Sequence, residues 1–332
     1  MIDFRYHLVS LISVFLALAV GIILGAGPLQ GTIGDTLNDQ VDSLRSERND
    51  LRDSLNASQA DAQKSLKFIQ AAGPSLVAGS LEGRRVAIVD LEGAAPAVQE
   101  GVAGQIQAAG GTVAVVASVG SSWTDADHKD FRETIANGLR PRLTGAAADL
   151  PQGATPEQVL SAALAVALAG TSVSDARSED AAALEQQLVQ ANLITLDGEQ
   201  AKPADAVVLL AGAVPAAAPQ GASPEPTKDV VASMVTLAKT AQSVVPVVVA
   251  GPTVSSGDVV SGVRDDKATA AKVTTVSGVE TPIGQIVVPL AVAAQLGGQA
   301  GQYGFEDGAT PLPPIVRPST AVTSGTSAGG NG

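Results

Sequence analysis

A chain of 332 residues with 45% hydrophobic side chains can bury one large or two small cores, so it is expected to fold. Its formal charge of -13 comes from 33 acidic against 20 basic residues, the latter scattered, which leaves no basic stripe for phosphates and argues against nucleic acid as a partner. The absence of cysteine excludes disulfides, thiolate catalysis and cysteine metal sites, and aromatics at 2% require a core of small aliphatic side chains at close backbone spacing.

From Leu8 to Gly27 the chain reads LVSLISVFLALAVGIILGAG, about 20 residues without a charge, which at a rise of about 1.5 Å per residue crosses a hydrocarbon core of about 30 Å. A cleaved signal peptide is the alternative, but its apolar core is usually only about 7–15 residues long. Its cleavage site is also poor, because Pro28 follows Gly27 directly and Leu24 is bulky at the start of the alternative site ending at Ala26. An uncleaved single-pass anchor over residues 8–27 in the lipid bilayer is therefore expected. Arg5 precedes it and Asp35, Asp39 and Asp42 follow, and positive flanks stay inside, so residues 1–7 are expected in the cytoplasm and the C-terminal domain outside it. His7 adds little charge at neutral pH.

Residues 30–72 read as a helical stalk. Leu37, Val41, Leu44, Arg48, Leu51, Leu55, Ser58, Ala62, Ser65 and Ile69 follow one another at alternating steps of four and three, with Asp, Glu, Arg, Gln and Asn on the other faces. A heptad seam sustained this long predicts a coiled coil, most simply a homodimer, with a length of about 50 Å. Arg48 at a core position would either fix register or turn its guanidinium out to solvent. An amphipathic helix lying on the downstream domain is the alternative, and Ser58, Ala62 and Ser65 weaken the distal seam. Ala72-Gly73-Pro74 is expected to end the helix.

Residues 73–314 are expected to form one α/β domain. The apolar run Arg85–Asp90 predicts a strand, Val98, Val102 and Ile106 mark a helix over Pro96–Ala109, and Thr112–Ala117 predicts a second strand, together a βαβ crossover. Helices are expected over Asp125–Asn137, Pro156–Ala169, Ser178–Ala191 and Thr227–Gln242, and strands over Leu193–Leu196, Ala206–Ala211, Val244–Ala250 and Lys272–Val276. A last helix opens at Thr281-Pro282 and runs to Leu296, with proline at a favoured first position. The sum is a doubly wound, mostly parallel sheet. Pro215–Pro226 is expected as an exposed loop, and residues 315–332, Ser/Thr/Gly-rich from Ser319, as a disordered tail.

Chemistry is hard to find. The turn after the first strand, Leu91-Glu92-Gly93-Ala94-Ala95-Pro96, lacks the spaced glycines of a dinucleotide site and the Gly-Lys-Ser/Thr of a P-loop. Glu92 would also repel phosphate, and Gly251–Gly257 after a later strand has no lysine. With His7 and His128 as the only histidines, catalytic triads and histidine metal sites fail on inventory. Asp90, Glu92 and Asp197 at strand ends could meet at the carboxyl edge of the sheet as an unrecognised carboxylate site, although solvated turn carboxylates are the simpler reading. Trp123 is either a contact anchor or a partly buried loop residue. No catalytic, cofactor or metal residue is assigned, and a nonenzymatic protein is expected.

The opening MIDFRYHLVSLISVFLALAVGIILGAGPL and the closing GQIVVPLAVAAQLGGQAGQYGFEDGATPLPP resemble the actinobacterial MctB family, named for a mycobacterial copper transport protein. The same architecture resembles the corynebacterial division protein SteB. The resemblance covers most of the chain and implies an envelope protein of Gram-positive actinobacteria, tied either to copper homeostasis or to control of a peptidoglycan hydrolase during division. It brings no catalytic residue with it. Copper prefers Cys, Met and His, and here Met1, Met234, His7 and His128 are scattered along the chain, so any copper role is expected to be indirect.

Overall fold

The computed structural model describes residues 4–26, 28–91, 93–169, 176–212, 228–255 and 257–316. The expected loop Pro215–Pro226, the tail from Ser319, Met1 and Glu92 lie outside the described residues. The chain divides into two units, Met1–Lys67 and Phe68–Gly332, and each is taken by itself.

The first unit is helical. Helix α1 spans Phe4–Ala26, and over Phe4–Gly25 it is long and apolar enough to cross a membrane, with its Leu, Ile, Val and Phe side chains exposed. Helix α2 spans Pro28–Val77, and from 37 to 65 every residue is exposed. Asp42 with Arg45 and Asp61 with Lys64 form ion pairs of 3.2 and 2.9 Å one turn apart, of the solvent-screened kind that adds little stability.

The second unit begins in the last turns of α2 and is built on one sheet. In chain order it contains β1 (Arg85–Asp90), α3 (Pro96–Ala108), β2 (Thr112–Val119), α4 (Lys129–Leu139), α5 (Pro156–Ala169), α6 (Glu179–Gln190), β3 (Ile194–Asp197), β4 (Ala206–Leu210), α7 (Lys228–Ala241), β5 (Val247–Ala250), α8 (Val259–Asp265), α9 (Lys267–Ala270), β6 (Thr274–Val276), α10 (Pro282–Leu296) and β7 (Gln302–Tyr303). The sheet order is β3-β2-β1-β4-β5-β6-β7, parallel throughout except that β3 runs antiparallel to β2. The doubly wound, mostly parallel α/β architecture is thus the one the aliphatic runs predict.

Strand side chains alternate between two cores. Ala87, Val89, Val207, Leu209, Val247 and Val249 face α5, α6, α7 and α8, whereas Val86, Ile88, Val208, Leu210 and Val248 face α3, α10 and the end of α2. Because helices cover both faces, β4 and β5 are buried along their whole length, which is why they read as unbroken Val/Leu/Ala runs. Helix α5 is buried at every position from Val159 to Leu168, the all-round apolar pattern of a helix enclosed by others. Trp123 is 1% exposed and belongs to the first core, so it is no contact anchor.

Helix α2 does not stop at Ala72-Gly73-Pro74 but continues through Pro74 to Val77. Proline forfeits one backbone hydrogen bond there, and packing offsets the loss: Val77 is fully buried, and a Cβ placed on Gly73 would stand only 2.5 Å from Ile286 Cδ1 of α10. Beyond Gly297, where periodicity fades, the chain still adds β7 to the sheet and a bridge from Tyr303 to Thr310.

Candidate functional site

The carboxyl edge of a doubly wound sheet is the usual place for a ligand, and the chain reverses direction of winding between β1 and β4. Asp90 is half-buried at the end of β1, in register with Ser118 of β2 and, through it, Thr195 of β3. Asp197 pairs with Val116 and, since β3 is antiparallel, points back toward the opposite edge. It lies two strands from Asp90, a lateral separation of roughly 9–10 Å. The two carboxylates therefore do not converge, and Glu92 is outside the described residues.

Farther along this edge the polar side chains are occupied with one another. Glu306 accepts from the Ser277 hydroxyl at 2.7 Å and the Val254 N–H at 3.1 Å, and pairs with Arg264 at 3.4 Å. Arg264 also donates to the Tyr303 carbonyl and to Thr275 Oγ1, both at 2.9 Å, so one guanidinium ties α8 to β6 and β7. Burial pushes the Glu306 carboxyl up, but these hydrogen bonds and the arginine charge outweigh it and hold the group below its ordinary value. Glu280 accepts from the Thr253 N–H and hydroxyl, and Asp258 caps α8 through the Ser261 N–H at 2.6 Å. Such carboxylates brace loops and leave little capacity for a substrate.

Among the described residues no three His, Cys, Asp or Glu side chains come together as a metal site. His128 is exposed and pairs through Nδ1 with Asp125 at 2.9 Å, while Met234 is 2% exposed inside α7. Asp125 is held below its ordinary value by the Asp127 N–H first and by His128 next.

The seam residues present a different surface. Leu37, Val41, Leu44, Leu51 and Leu55 are 55, 41, 63, 65 and 56% exposed along α2, an unusual run of apolar side chains left in water. Arg48 between them is exposed, its Nη2 reaching Asn49 at 3.2 Å, and Ala62 is also exposed. Ile69, in the second unit, is half-buried against the second core.

Beside Ile69 lies a feature that sequence reasoning missed. A cavity of about 340 Å³ is walled on one side by Phe68, Ala72 and Leu76 of α2 and on the other by Ile283 of α10, Phe305 and Leu312. Phe68 and Phe305 are 73 and 71% exposed. Its one sequence signal is that two of only five phenylalanines in the chain stand here. A second hollow, of about 480 Å³, lies between α4 and α6 and mixes Phe131, Ile135 and Leu139 with Gln187, Gln190 and Asn192.

Comparison with known proteins places this architecture. Proteins named copper transporter MctB from Mycobacterium bovis and from two strains of Mycobacterium tuberculosis are each 31% identical to it over 144 residues, which is 41% of this chain and 44% of theirs. The alignment thus spans less than half the length of these relatives. Residues 1–314 match the family described as copper transport outer membrane protein, MctB, so the chain belongs to the MctB family.

Proposed function

We infer that the chain is a nonenzymatic scaffold of the cell envelope, anchored by α1 with its N-terminus in the cytoplasm and paired in parallel through the seam on α2. The observation that carries this reading is the row Leu37, Leu44, Leu51 and Leu55, each more than half exposed along one face of a helix. Apolar side chains at heptad spacing are stabilised by a second helix, and a shared membrane anchor raises the effective concentration of that helix. The family's link to copper transport reaches this chain, in this reading, through a partner protein. The ligand inventory supports that: His128 is tied to Asp125, Met234 is buried, and the carboxylates of the β5–β7 edge are engaged by neighbouring donors. The sheet, covered by helices on both faces, is likewise built as a soluble core and not as a wall facing lipid.

Because the chain has no cysteine, a single Leu44→Cys substitution tests the pairing directly. Oxidation of intact membranes should give a disulfide-linked dimer, and no product would overturn the parallel seam. Cross-linking in cells followed by identification of the captured protein then separates a copper-handling partner from a peptidoglycan hydrolase. The purified chain, dialysed against copper and washed, should retain far less than one equivalent; a stoichiometric, competition-resistant site would refute the indirect role.

A further inference from the structure

The four-and-three alternation of the stalk does not end at Ile69. Continued in the same phase it falls on Ala72 and then Leu76, both of which wall the 340 Å³ cavity. In this phase Ile69 and Leu76 take the a position and Ala72 the d position. Phe68 is then a g residue and Gly73 an e residue. In a parallel pair a g residue of one helix lies beside the e residue of the following heptad on the other, so Phe68 of one copy is brought to Gly73 of its mate.

Gly73 is buried against Ile286 of α10 and also lines the cavity. The side of α2 that faces its own α10 is therefore the side on which the second copy's Phe68 arrives. We propose that this cavity is a socket for Phe68 of a second copy of the chain, each protomer giving its phenylalanine to the other beside Gly73, Ile283 and Phe305. The proposal rests on the parallel pairing inferred above and adds the contact that locks its end.

Three observations favour a second copy over a small ligand. Every residue lining the cavity is apolar or glycine, whereas a ligand site carries a few placed polar groups to orient its occupant. The patch is self-complementary, holding both a socket and a protruding aromatic side chain 73% exposed, as a two-fold contact requires. The heptad phase, finally, delivers the aromatic residue to the socket without any adjustment of register.

The test uses two differently tagged full-length chains co-expressed in membranes, one carrying Phe68→Cys and the other Ile283→Cys, with Leu312→Cys as a second socket position. Phe68 is exposed, Ile283 half-buried and Leu312 43% exposed, so none of these changes empties a core. A short bifunctional maleimide should join Phe68→Cys to Ile283→Cys or Leu312→Cys between tags, and unlabelled wild-type chain co-expressed in excess should dilute the product. If Leu44→Cys cross-links but neither socket pair does, the stalk reading stands and the socket is overturned; a hydrocarbon retained there in native mass spectra would name its true occupant. If Leu44→Cys fails as well, parallel pairing and socket fall together.

Discussion

Replacing both Leu44 and Leu55 by Asp attacks the stalk where it is most regular. These leucines are 63 and 56% exposed in the single chain, so pairing would remove about three fifths of each from water, worth about 1–2 kcal/mol from a full-burial value of ~1.5–3 kcal/mol. Four such side chains are lost per pair, or about 4–7 kcal/mol, which corresponds to about three to five decades in the dissociation constant. The four carboxylates placed in the seam repel one another and resist desolvation, so the loss should not be smaller than this. Sedimentation in detergent should show the wild-type chain as a dimer and the variant as a monomer, while the thermal transition of the α/β unit, to which neither residue belongs, stays in place. The variant should also lose its cellular role. A dissociation constant within tenfold of wild type, or a monomer that still works in cells, would refute the reasoning and leave the stalk as a spacer.

Protease added to intact spheroplasts should digest the α/β unit, and protection until lysis would reverse the orientation assigned from Arg5 and the three aspartates. Gly284→Ala should destabilise the unit by about 1–3 kcal/mol, because a Cβ there would stand 2.2 Å from the Gly278 carbonyl oxygen, a backbone atom that cannot step aside; an unchanged melting temperature would contradict the tight entry to α10. Glu306 is held below its ordinary value in the folded chain, so it adds stability above its unfolded pKa of about 4.5, and that contribution is lost as pH falls through the lower folded value. Urea midpoints of Glu306→Gln should therefore lie below wild type at neutral pH and converge with it in acid; parallel pH profiles would show that Arg264 and Ser277 do not stabilise the carboxylate.

Elements held by local signals were legible. Arg85–Asp90 and Pro156–Ala169 stand where their aliphatic runs place them, and the α10 start is marked by Thr281, whose hydroxyl accepts from the Gly284 N–H at 3.3 Å ahead of Pro282. Elements held by distant partners were not. Leu193–Leu196 reads as a strand in either direction, and nothing local to it says that it will run against β2. Helices α8 and α9 are short pieces capped by Asp258 and Asp266, and β7 is a two-residue strand secured by Arg264 from 39 residues earlier. Helix α2 survives Pro74 because Ile286 packs over Gly73, a contact between residues more than two hundred positions apart. The heptad spacing on α2 is a local pattern visible in the sequence, whereas the cavity beside Ile69 draws on three separate stretches of chain.

The two ends of the sheet matter for chains crowded on a surface, where sideways collisions are frequent. A long, flat, unpaired strand at such an end is a template for strand exchange and aggregation. Here one end is β3, four residues long and finishing in the exposed carboxylate of Asp197. The other is β7, two residues long and already touched by the Tyr303–Thr310 bridge. Neither offers enough backbone for a neighbour to add a strand, so domains of this kind can be packed densely without exchanging strands through the ends of their sheets.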